Sequence, residues 1–272
     1  MNIPAQPTNQ GLRSFFAITF AWSWLFWMPA VLSTAGWFEL PEVVAFVLGI
    51  IAVFGPSVAA FVLIYRHEGR SGVGRLWKRG WRWGGGKRWL LPVLLLLPGI
   101  TVLTVLLMAL LGEPLQMEHA VPPAMVVPVF ILIYLFNALP EEYGWRGYAL
   151  DRLQARWNAL VSSIILGAVW GLWHLPLHFI QGTVQEVIPV WQFTAVHMVV
   201  AVLYTWVYNN TWGSVLAVTL LHAVGNISAV ALPYWVSNVG RLVQFGLLAA
   251  VAIVIIVIWG PKTLVRRSES EE

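Results

Sequence analysis

The chain has 272 residues, of which 59% are hydrophobic and 10% charged, with no cysteine, a formal net charge of +4 and a mean hydropathy of +0.75. A soluble domain carries about 25% charged residues, so this composition excludes a soluble globular protein and points to an integral membrane one. Without cysteine there are no disulfides, no thiolate metal sites and no cysteine nucleophile.

A helix needs about 20 residues to cross the hydrocarbon. The opening stretch, MNIPAQPTNQG, is polar and lacks a basic n-region, and the apolar run after it is too long for a signal-peptide core. It reads as a retained first span over 13–35. Further spans are expected at 43–65, 89–111, 123–140, 159–181, 190–208, 213–232 and 241–260. The charged stretch EEYGWRGYALDRLQARW after the fourth span reads either as a solvated interfacial helix or as a continuation of that span. The fold class is therefore all-α, a polytopic transmembrane bundle of about eight spans. Tryptophans Trp22, Trp24, Trp27, Trp37, Trp81, Trp83, Trp89 and Trp212 fall near span ends, as interfacial anchors do.

With eight spans, 15 of the 16 Lys and Arg residues fall on one side, most of them in the loop 66–88, and only Arg241 falls on the other. The positive-inside rule then puts both termini in the cytoplasm, and a prokaryotic cytoplasmic membrane is the expected location. Contact with anionic lipid headgroups explains the basic loop better than nucleic acid does. No Walker pattern follows the GGG at 84–86, and no internal repeat suggests a transporter built from two halves.

Charges and polar groups inside apolar runs carry the remaining information, because each is costly near hydrocarbon unless it faces a partner or a wet cavity. Glu141 and Glu142 follow PVFILIYLFNALP, with Arg146 four or five residues on. Pro140 suggests a helix start, which would place both carboxylates in a first turn, at the positive end of the helix. A paired charged helix end at the membrane surface is the plainer reading. His174 lies in AVWGLWHLPLHF, with Trp170 four residues before it and His178 four after. That pattern is either packing or, for the two histidines, part of a metal site. His222 and Asn226 share a helix face in LLHAVGNIS, and both can donate a hydrogen bond. His119 and His197 show no comparable partner and read as structural or interfacial.

Taken in order, EEYGWR fits EExxxR, WGLWH fits [FW]xxxH and HAVGN fits HxxxN, each on a successive membrane segment. Over residues 125–232 this resembles the CPBP family, the type II CAAX prenyl endopeptidases and their bacteriocin-processing and self-immunity relatives. The resemblance implies an N-terminal region 1–124, a catalytic region 125–232, and a last span and tail over 233–272. It implies an active-site cavity within the bundle, where Glu141 activates a water with His174. His222 and Asn226 would hold the oxyanion, while Glu142, Arg146 and Trp170 would support them. The expected reaction is hydrolysis of a peptide bond in a membrane-associated peptide or protein. No cofactor is expected. A zinc enzyme, with Glu141, His174 and His222 as ligands, is the metal-dependent alternative. The other readings are a proton-coupled transporter and a non-catalytic immunity protein.

Overall fold

The computed structural model describes residues 9–266. The polar opening residues 1–8 and the tail residues 267–272, with one of the basic residues counted above, lie outside those residues. Among the described residues the regular structure is helical throughout. Seven helices are long and apolar enough to cross a membrane, and an eighth apolar helix, Val215–Ala231, is shorter. The chain is an integral, multi-pass membrane protein.

The first span is α1 (Asn9–Thr34) and the second is α2 (Glu42–Val53) running into α3 (Gly55–Arg79). The third is α4 (Leu90–Leu110). The basic segment 66–88 is not the open loop expected from sequence. It stays helical as far as Arg79, broken once at Gly69, whose φ of 64° only glycine adopts freely.

The fourth span contains the main departure from expectation. It runs through α5 (Val126–Ile133), α6 (Leu139–Gly144) and α7 (Asp151–Gln154), joined by two π-helical segments, Tyr134–Ala138 and Trp145–Leu150. Pro140 therefore does not start a helix. It has no N–H for the preceding turn, and its ring would crowd the carbonyl four residues back. The wider π turn just before it accommodates that misfit without ending the helix. The stretch after Pro140 is no solvated interfacial helix either, since Leu139 to Leu150 are all buried.

The remaining spans are α8 (Ala159–Trp173), α9 (Val190–Asn210), α10 (Val215–Ala231) and α11 (Asn238–Trp259). Side chains cap three of these helices in the way the sequence allows. Asn158, Ser214 and Ser237 accept from the third residue on and satisfy an otherwise open N–H. The closest helix pair is α8 with α9, while α1 lies against α3 and α10 against α4. Gly167 and Gly171 explain the first contact. A Cβ on Gly167 would lie 2.5 Å from both His197 O and Met198 Cα, and one on Gly171 would lie 2.7 Å from Thr194 Cα. The two backbones therefore touch directly, as small residues allow between membrane helices.

The core is strongly aromatic. Trp173 sits between Trp27 and Trp145, with ring centroids 4.7 and 5.7 Å away, and Phe15 meets Trp145 at 5.6 Å. Trp37, Trp81 and Trp212 are exposed as anchors should be, but Trp27 and Trp89 are buried. Trp22 and Trp24 instead tie helices together, donating to Ile51 O and Trp173 O. The tryptophan pattern thus mixes interfacial anchoring with core packing.

Candidate active site

The two π turns set the helical phase on the fourth span so that Asn137, Glu141, Glu142 and Arg146 all face inward. Glu142 and Arg146 form a doubly bonded ion pair at 2.8 and 3.1 Å, and both side chains are 0% exposed. Arg146 is held between two rings, its guanidinium carbon 4.6 Å from the centroids of both Trp170 and Tyr204. Cation–π contacts of this kind are strong when water is excluded. Glu142 also accepts from His222 Nδ1 at 3.0 Å. This interior network replaces the helix-end stabilisation expected from Pro140, because both carboxylates lie in the middle of a continuous helix.

Glu141 has different partners. Its Oε1 accepts from Asn137 Nδ2 at 2.7 Å and its Oε2 from Trp170 Nε1 at 2.7 Å. Asn137 in turn accepts from Asn226 Nδ2 at 2.7 Å. The amide of Asn226 is therefore spent partly on Asn137, one helical turn before Glu141. Sequence reasoning passed over Asn137, although it is a polar residue in an apolar run, four positions before a buried carboxylate. Tyr204, the second ring around Arg146, had no such signal.

The histidines share a pattern. His174 closes α8, and its Nδ1 lies 2.9 Å from Trp170 O. His197 Nδ1 lies 2.8 Å from Phe193 O. A carbonyl or carboxylate can only accept, so in His174, His197 and His222 alike Nδ1 carries the proton. Their Nε2 atoms then face outward as acceptors when the ring is neutral. His197, expected to be merely structural, packs beside His174 with centroids 5.1 Å apart and edge-on to Trp170 at 4.5 Å. His178 stands apart, bonded to Ile188 O at 3.0 Å against Phe193, so its spacing from His174 reflects packing.

Glu141, Trp170, His174, His222 and Asn226 line one cavity of about 370 Å³, as do Asn137 and His197. Glu142 and Arg146 lie behind this wall and orient it. The cavity extends to the connections that follow α8 and α10, where Gln185 and Trp235 line it. Outward Nε2 atoms are what a metal would require of histidine. Yet no three His, Asp or Glu side chains among the described residues are grouped closely enough to hold an ion.

A family model described as type II CAAX prenyl endopeptidase Rce1-like matches residues 123–228. The CAAX prenyl protease 2 of Methanococcus maripaludis is 30% identical over 174 residues, covering 60% of this chain and 63% of that protein. The chain thus matches a little under two thirds of the length of this curated relative. The matched segment contains every residue of the cavity wall on α5 to α10 described above, from Asn137 to Asn226.

Proposed function

We propose, from the match of residues 123–228 to the Rce1-like family model and the 30% identity to a CAAX prenyl protease 2, that the chain is a member of the CPBP family and an intramembrane endopeptidase in which Glu141 activates the attacking water. The observation that carries this reading is the contrast between the two buried glutamates. The charge of Glu142 is matched by Arg146, whereas Glu141 faces the cavity with only neutral donors on its oxygens. An anionic carboxylate with lone pairs to spare is a base within reach of any water in that cavity.

In this reading Glu141 takes a proton from water as its oxygen attacks the peptide carbonyl carbon, and His174 Nε2 accepts the water's other hydrogen. The developing oxyanion is held by Asn226 and by His222. Because His222 Nδ1 already donates to Glu142, Nε2 donates only when the ring carries its second proton. The C–N bond then breaks, and the proton held by Glu141 passes to the departing amine. The substrate is a membrane-associated peptide or protein. The relative's name concerns prenylated CAAX substrates, and a prenyl group would find an apolar wall in Leu97, Ile133 and Leu248.

The orientation follows from charge. The basic ends of the spans are cytoplasmic, and the cavity's loop-lined end opens on the other face. The test compares membrane-peptide profiles from cells carrying the unaltered protein and Glu141→Ala. Peptides cut only with the former support the reading. Altered proton-coupled flux would favour a transporter, and identical profiles a non-catalytic protein. Activity that vanishes on chelation and returns stoichiometrically with zinc would replace the glutamate mechanism with a metal one.

A further inference from the structure

A second hollow, a crevice of about 520 Å³, lies at the opposite end of the bundle, where α3 and α9 end, α8 begins and the chain leaves α11. Its floor is a closed network. Arg79 Nε donates to Gly213 O at 3.0 Å, Nη1 to Gly147 O and Asp151 Oδ2 at 3.2 and 3.0 Å, and Nη2 to Tyr208. The Tyr208 hydroxyl in turn donates to Asp151 Oδ1 at 2.7 Å. One cation and one carboxylate thus cancel there. Asn209 and Gln154 close the side by exchanging hydrogen bonds at 2.8 and 3.1 Å. What the lining leaves over is positive. Lys262 forms no ion pair among the described residues, and neither does Arg156, whose guanidinium carbon lies 5.7 Å from the ring centroid of Trp157 on the rim.

The rim is braced on both sides. After α11 the backbone is tied down carbonyl by carbonyl. Pro261 O and Lys262 O accept from the backbone of Leu160 and Ala159 at 3.1 and 2.9 Å, and Thr263 O and Leu264 O from the side chains of Asn209 and Asn210, both at 2.7 Å. With its carbonyl turned to the protein, Lys262 stays exposed at the crevice. Across from it, Trp212 is held in the left-handed region at φ 54°, which a side chain of its size rarely adopts, and stands 79% exposed. The glycines at 84–86 explain the bracing on this side. A Cβ on Gly84 would collide with Thr211 O, and one on Gly85 would lie 2.5 Å from Asn210 O, so that segment rests directly on the turn carrying Trp212.

A phosphate fits this arrangement, because the surplus charge is positive, the lysine ammonium is a mobile point charge, and two indoles border the site at headgroup level. The place of the crevice in the fold says what carries that phosphate. The adjoining turns of α8 and α11 hold Val161, Ile164, Val254, Val257 and Ile258 exposed, an apolar surface that acyl chains would cover. We propose that the crevice binds the headgroup phosphate of an anionic phospholipid, from the leaflet at the basic ends of the spans, with Lys262 as its charge partner and Trp157 and Trp212 as its walls. The site is separate from Glu141 and does not depend on what the protein cleaves.

Native mass spectrometry of the purified full-length protein in detergent tests this, with titrations of dioleoylphosphatidylglycerol, dioleoylphosphatidylcholine and inorganic phosphate. Phosphatidylglycerol should fill one site ahead of any others and bind about 5-fold tighter than phosphatidylcholine, the worth of one basic residue beside an anionic surface. Lys262→Gln should remove most of that preference, and Trp212→Ala should weaken the binding of both lipids. Lys262 and Trp212 are exposed, so both variants leave the packed core as it is. Lys78→Gln removes the same charge from an exposed position on α3 that does not line the crevice, and should leave the preference unchanged. Equal binding of the two lipids to the unaltered protein overturns the site, as does a preference that survives Lys262→Gln. An equal fall in Lys78→Gln also overturns it, because the attraction would then be spread over all the basic span ends. If inorganic phosphate displaces phosphatidylglycerol at comparable concentration, the crevice takes a free phosphate and the lipid assignment is wrong.

Discussion

The indole N–H of Trp170 donates to Glu141 Oε2 at 2.7 Å from 29 positions further along the chain. One aromatic side chain thereby does two jobs, since the same ring covers the Arg146 guanidinium. Trp170→Phe separates them. The ring face remains over Arg146 while the hydrogen bond to Glu141 is lost. Peptide hydrolysis should fall about 10–100-fold, the scale of one hydrogen bond to a charged group, with little change in melting temperature. An equal loss of folding stability and activity would show that the ring's packing, not its N–H, matters.

Glu141→Gln should lower kcat by about 10²–10⁴-fold, the usual worth of a general base. It also faces an amide N–H₂ towards either Asn137 Nδ2 or Trp170 Nε1, both donors. A stability loss of about 1–3 kcal/mol should accompany the catalytic one, visible as a lower melting temperature. Glu141→Gln with normal cleavage would remove Glu141 from the mechanism.

From the motif alone, Glu142→Ala is expected to be the milder change of the two carboxylates. The geometry reverses that expectation for folding. Removing Glu142 leaves Arg146 charged, with its side chain 0% exposed and no carboxylate partner. Breaking a buried pair in this way costs about 3–5 kcal/mol. Glu142→Ala should therefore yield little folded protein, and removing both charges with Arg146→Met should recover some of the yield. Normal expression of Glu142→Ala alone would show that water reaches the pair.

Asn226→Ala should cost about 10²–10³-fold in kcat if its amide holds the oxyanion. Because Asn226 Nδ2 donates to Asn137 Oδ1, Asn137→Ala frees that donor while removing one bond to Glu141. If Asn226 serves only to fix Asn137, the two variants and their double should lose equal activity. A double variant worse than either single one assigns Asn226 a contact of its own with the reacting group.

The chain has no cysteine, so single cysteines report orientation directly. Val187→Cys, in the connection near the cavity mouth, should react with a membrane-impermeant maleimide added outside. Arg70→Cys, on the basic arm, should react only after the membrane is opened. The reverse pattern would invert the topology and move the cavity mouth to the cytoplasm.

The spans were legible because a long apolar run is a strong signal and most of them end in charge, proline or glycine. What was not legible was continuity. Pro140 has the same local signature whether it starts a helix or sits inside one, and only the π turn before it, a property of backbone geometry, decides. That one difference moved both glutamates from a helix end to a helix middle, and their partners from the helix dipole to Asn137, Trp170, Arg146 and His222. The motif residues were visible as charge out of place. Asn137 carried a weaker form of the same signal, while Tyr204 and His197 reach the site only through the contact of α8 with α9.

That contact limits how the site can change. With Gly167 and Gly171 against the backbone of α9, no side chain sets the spacing between the wall bearing Trp170 and His174 and the wall bearing His197 and Tyr204. It cannot be tuned in small steps, because even the single methyl of an alanine at Gly167 or Gly171 would collide with the α9 backbone and force the walls apart. Adaptation to new substrates is therefore channelled to the opposite side, where Leu97, Ile133 and Leu248 present side chains that can be traded for others of different size. Homologues that act on different peptides should differ there and keep the glycine pair, so the cavity diverges on one flank while the other stays fixed.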